Sequence, residues 1–215
     1  MNNIKDVVNS VILDPQYADV LTIVKAARNG AVYGAKVRFP HALVLRSKLG
    51  LILKATRQHA RNLAYFATLY KTVMLLQRRL SSSGKASPSH SFIAGLLGGY
   101  AVFGRGIQSS VNQQISIYVF ARVVLALAKM TFSNPGSAGA GSTSSTVTVG
   151  GDSGLAGFVT RHSWPAFASL SWAFVMWIFH DDPNNLQPSL RSSMKYIYVN
   201  SDTWTGFKNF LIYNQ

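Results

Sequence analysis

The chain has no cysteine. That removes disulfide frameworks, thiolate nucleophiles and cysteine-based metal sites together. It has no glutamate either, and its 7 acidic residues are all aspartates. Carboxylates so few and scattered offer no acid/base pair for catalysis. Charged residues of both signs make up only 13% of the sequence, against about 25% in soluble domains. A surface this short of charge is one suited to lipid. Met1 to Asn9 has no basic segment leading into an apolar core, so no secretory leader is expected there. Asp6 and Asp14 argue against an arginine-rich mitochondrial presequence. The glycine-rich pieces lack Gly-Lys-Ser/Thr, so no phosphate loop is expected. The histidines (His41, His59, His90, His162, His180) share no i,i+4 spacing, and only His180 has a carboxylate beside it, Asp181. Neither a metal site nor a cofactor is expected, nor an enzyme.

What is present is hydrophobic and basic. Hydrophobic residues reach 48%, and 21 lysines and arginines give a net charge of +14. The mean hydropathy, +0.15, is low for a bundle wholly in hydrocarbon, so part of the chain is wet or its helices carry polar stripes. The charge implies an anionic partner, either nucleic acid or lipid headgroups. The basic residues flank apolar runs and build no basic tail. The lipid bilayer is therefore the expected partner, and nucleic acid is not.

The runs predict an all-α, multi-pass transmembrane helix bundle. Ile4 to Leu13 has helical amphipathic spacing and stops at Asp14-Pro15. Tyr17 to Arg28 predicts a second helix ending at Asn29-Gly30, and Pro40 breaks the path after it. Gly30 and Gly34 are four apart, so on a helix they would share a face and let another backbone approach. Leu49 to Leu80 is the longest uninterrupted candidate, and Lys54, Arg57 and Arg61 form a cationic stripe along it. Such a stripe lies at the interface or lines a polar groove. Ser91 to Phe103 carries Gly95, Gly98 and Gly99, a second small-residue packing face. Asn112 to Phe132 is apolar except for Arg122, which snorkels, pairs with a carbonyl or joins the same polar groove.

Ser133 to Gly154 is Gly/Ser/Thr-rich and predicts a disordered linker. Its Gly-Asp-Ser-Gly piece is a chance match to a serine-protease motif. Trp164 to Phe179 is nearly all apolar and needs Leu155 to Val159 to reach spanning length. The chain thus divides into a membrane core (1–132), the linker (133–154), a C-terminal transmembrane helix (155–182) and a polar C-terminal tail (183–215). Four to six crossings are compatible with these runs, and the small-residue faces leave room for an oligomer.

Several stretches resemble a known family. The longest is Arg28-Asn29-Gly30-Ala31-Val32-Tyr33-Gly34-Ala35-Lys36-Val37-Arg38-Phe39-Pro40-His41-Ala42-Leu43. Leu97-Gly98-Gly99 with Val102-Phe103-Gly104 follows, then Gln114-Ile115 with Tyr118 and Arg122. Leu186-Gln187-Pro188-Ser189-Leu190, Ser192-Ser193-Met194, Trp204 and Tyr213-Asn214 complete the match. Together these resemble the peroxisomal branch of the superfamily of mitochondrial inner-membrane import translocases. The resemblance implies a multi-pass peroxisomal membrane protein, inserted by the soluble peroxisomal membrane-protein import receptor (peroxin-19 type). It implies Gly-notched helices around a polar concavity, a role in permeability, transport or assembly, and no established reaction. A mitochondrial translocase or channel subunit is the alternative.

Overall fold

The computed structural model describes residues 2–44, 49–82, 84–105, 109–133 and 153–214. Every regular element among them is helical. The stretch expected to be a linker, 133–154, lies outside the described residues except at its two ends. The helices are α1 (Asn2–Leu13), α2 (Ala18–Val44), α3 (Leu49–Leu80), α4 (Pro88–Gly99), α5 (Ser110–Ser133), α6 (Ser153–Asp181), α7 (Pro188–Met194) and α8 (Phe207–Leu211). α4 continues into a π-helical turn, Tyr100–Gly104, and α7 into another, Lys195–Val199. Local signals set the starts. Asp14 accepts from the Gln16 amide at 2.9 Å before a short 3-10 turn. Ser87 caps α4, with Pro88 in the first position, where no amide is needed.

One boundary differs from expectation. α2 does not end at Asn29-Gly30; it runs on through Gly34 and Pro40 to Val44. A helical glycine costs roughly 1 kcal/mol relative to alanine. Here that cost is offset by contact. A Cβ on Gly30 would fall 2.7 Å from the Leu63 carbonyl oxygen, and one on Gly34 would fall 2.7 Å from Ala60 Cα. The two glycines therefore let α2 and α3 meet backbone to backbone. Pro40 removes one hydrogen bond near the helix end without stopping it.

A second tight pair is built the same way. A Cβ on Gly95 would fall 2.7 Å from the Trp172 carbonyl, and one on Gly99 would fall 2.8 Å from Trp172 Cβ. These notches seat α4 on α6. Gly98 faces elsewhere and admits a side chain, with Phe66 Cε2 2.9 Å from where its Cβ would be. Phe66 thereby joins the two pairs. It is fully buried, with its ring centroid 4.2 Å from that of Trp172 and 6.1 Å from that of Phe103.

Many large apolar side chains face outward. Ile117 and Leu125 on α5 are 56% and 58% exposed, and Ile93, Leu97 and Leu170 are also turned out. Large apolar side chains gathered outside a bundle call for lipid or a partner. Among the described residues one segment, Ser110–Thr131 in α5, is both long and apolar enough on its own to cross a membrane. α3 has ample length, about 48 Å at 1.5 Å per residue, but carries cations along it.

α5 and α6 point the same way. Asn112, near the start of α5, donates to the Val102 carbonyl, and Trp164 of α6 donates to the neighbouring Phe103 carbonyl. Near the ends of both helices, Lys129 donates to the Asn184 carbonyl.

The chain after Pro183 is more than a polar tail. Leu186, Leu190, Met194, Ile197 and Tyr198 are buried and belong to the central hydrophobic cluster.

Candidate functional site

α2 and α3 are zipped together, as are α4 and α6, and Phe66 bridges the pairs on one side. On the other side a cleft remains, with a volume of about 480 Å³. That lies within the roughly 300–1,000 Å³ span of ligand pockets. α2 supplies Tyr33, Val37 and Arg38, α3 supplies His59 and Leu63, and α5 supplies Gln114, Ile115, Tyr118 and Val119. Trp172 and Val175 of α6 form the floor, and the returning tail closes a wall with Met194, Ile197 and Tyr198.

The cleft is amphipathic. Arg38 Nη1 donates to Gln114 Oε1 at 2.8 Å, so cation and amide share one spot, and His59 lines the same cleft. The floor and tail wall are mainly apolar and aromatic. Two buried donors of lining residues lack an acceptor, Arg38 Nε and Trp172 Nε1. α5 is tied to α2 and α3 by polar rungs. Besides Arg38–Gln114 these are Gln58 to Ser109 at 2.6 Å and Asn62 to Asn112 at 2.6 Å, the latter buried. In a low-dielectric setting such side-chain bonds hold helices that hydrophobicity alone does not.

The cations expected in a shared groove are placed otherwise. Lys54, Arg57 and Arg61 stand exposed on α3. Arg61 lines a shallow second cavity with Asn62, Tyr65 and Thr68, and none of the three lines the cleft. Arg122 stacks over the Tyr118 ring, its guanidinium carbon 4.8 Å from the centroid. It meets the cleft only through that ring. The cation that does line the cleft is Arg38. Its sequence signal lay in the Lys36–Pro40 run, which sequence reasoning treated as a break in the path.

A second polar device holds the tail. Lys25 is 0% exposed and donates to the Thr203 carbonyl and to Asn209 Oδ1. One turn on, Arg28 donates to the carbonyls of Leu211 and Ile212. Asn29 is buried and donates to the Tyr196 carbonyl at 3.0 Å and to Asn214 Oδ1 at 3.2 Å. Asn214 donates to the same Tyr196 carbonyl at 2.9 Å. Three consecutive helical positions of one face thus clamp the C-terminal residues. This fixes the wall that carries Ile197 and Tyr198. The hydrated end of the bundle carries ion pairs. Asp19 meets Arg78 at 2.7 Å and Arg79 at 2.8 Å, and Lys71 meets Asp202. Arg79, against some desolvation, and then Arg78 hold the Asp19 carboxyl below its ordinary value.

Small-residue helix packing and large apolar side chains on the outside are features of α-helical membrane proteins. Residues 16–121 match the model of the Tim17/Tim22/Tim23/Pmp24 family. The chain is 37% identical to peroxisomal membrane protein 4 of Homo sapiens, over 97% of this chain and 92% of that protein. It is likewise 37% identical to peroxisomal membrane protein 4 of Bos taurus, with the same shares covered. The chain belongs to the Tim17/Tim22/Tim23/Pmp24 family and is a protein of the peroxisomal membrane. No solved structure matches it.

Proposed function

We propose that the protein is a non-catalytic, multi-pass component of the peroxisomal membrane that contributes to its permeability or transport, with the cleft as its working surface. The observation that carries this is the pairing of Arg38 and Gln114 at the side of an otherwise apolar cleft. A cation set beside an apolar cleft in a membrane protein marks a path or binding site. Four to six crossings are proposed, α5 among them. The purified protein in liposomes should pass small anionic solutes, and Arg38→Gln should slow that flux roughly ten-fold. Vesicles as tight as protein-free ones would contradict the reading.

The mitochondrial translocase or channel reading rests only on shared family membership. A tagged copy on mitochondria, with peroxisomes dark, would favour it. We also propose that a soluble import receptor of the peroxin-19 type binds the chain before insertion. Failure of the newly made chain to co-purify with that receptor would remove this partner.

A further inference from the structure

Every unsatisfied polar atom noted on the cleft lining is a donor. Arg38 spends Nη1 on Gln114, while its Nε is buried and unpartnered. Trp172 Nε1 is buried and unpartnered as well. Arg38 is the only lysine or arginine that lines the cleft, so the lining as built holds a cation without a counter-ion. What completes it must accept hydrogen bonds and carry negative charge, because no carboxylate lines the cleft. A guanidinium is a planar fork of donors that matches the two oxygens of an oxyacid. Much of the lining is hydrocarbon: Ile115, Val119, Val175, Leu190, Met194 and Ile197. Those side chains provide nothing polar to recognise, but they can cover a tail.

We propose that the cleft binds an anionic amphipath, an oxyacid head on Arg38 with its hydrocarbon chain along the apolar floor. His59 is a further polar contact on the lining. This rests on the same cleft as the transport reading but names what occupies it. Two sources share this chemistry, a free long-chain carboxylate and an anionic phospholipid.

The test uses the full chain in nanodiscs of phosphatidylcholine. Binding of a labelled long-chain carboxylate is compared with that of the alcohol of equal chain length. Saturable binding of the carboxylate is expected, with the alcohol roughly ten- to a hundred-fold weaker, since a charge-assisted bond is lost. Arg38→Gln should weaken carboxylate binding by a similar factor. Arg57→Gln, on the exposed face of α3, should leave it unchanged. Val119→Trp, which fills the floor and keeps the cation, should abolish binding of the carboxylate. Should phosphatidic acid placed in the nanodisc displace the carboxylate, the site is one for phospholipid; with no displacement, it is one for the free acid. Equal binding of carboxylate and alcohol, or full binding by Arg38→Gln, would overturn the inference. Binding without flux would keep this inference and remove the transport reading, whereas flux without binding would do the reverse.

Discussion

At the scale of single residues, the glycines decide where backbones touch. Gly30 and Gly34 meet main chain of α3, whereas Gly98 meets only the edge of the Phe66 ring. Main chain yields less than a side chain, so the cost of adding one methyl should differ with position. Gly34→Ala should destabilise the protein by about 1–3 kcal/mol, the usual range for overpacking. Gly50→Ala, where nothing lies within 4 Å of an added Cβ, should stay within about 0.5 kcal/mol. Thermal unfolding in one detergent measures both. The spacing of Gly30 and Gly34 was legible in the sequence, and so was its consequence for packing if the segment was helical. Asn29-Gly30 also reads as a helix stop, because asparagine and glycine are common just past helix ends. Tertiary contact overrides that local signal, since the notch is filled by Leu63 and Ala60. Arg38 was illegible as a cleft residue for a related reason. Its partner Gln114 is 76 positions away, and no local pattern announces that meeting.

Among the elements, the tail reads from the sequence as ordered and packed on the bundle or on the interface, and its buried residues lie in the central cluster. Its polar composition conceals a buried stripe, Leu186, Leu190, Met194 and Ile197, at roughly helical spacing. Proline, serine and basic residues between those positions masked it. The face of α2 bearing Lys25, Arg28 and Asn29 holds the tail through carbonyls and amides, with no ion pair in the clamp. Asn29→Ala removes the donor to both Tyr196 and Asn214, and an unmade bond of this kind costs about 1–3 kcal/mol. Hydrogen exchange over residues 196–214 should quicken roughly ten-fold, while that of α4 stays as it was. Equal quickening in both segments would mean that the tail is not a separate latch. The long helices themselves were readable, because α5 and the core of α6 each carry one sustained apolar run and α3 an apolar face with no proline to interrupt it. The shared direction of α5 and α6 was not, since it follows from contacts at both ends rather than from either run.

For the whole molecule, charge and grease are laid out in a way that only a bilayer reconciles. Side chains such as Ile93, Leu97, Ile117 and Leu125 face outward. The ion pairs of Asp19 with Arg78 and Arg79 gather at one end. The central claim is that this outward apolar surface is covered by acyl chains. The chain has no cysteine, so single cysteines report without background. The decisive measurement is labelling of Leu97→Cys, Ile117→Cys, Leu125→Cys and Ser82→Cys in intact membranes with a water-soluble, membrane-impermeant maleimide, after opening both sides. The account predicts rapid reaction at position 82 alone, with the other three positions labelled only after detergent is added. Labelling of all four at one rate before detergent would contradict it.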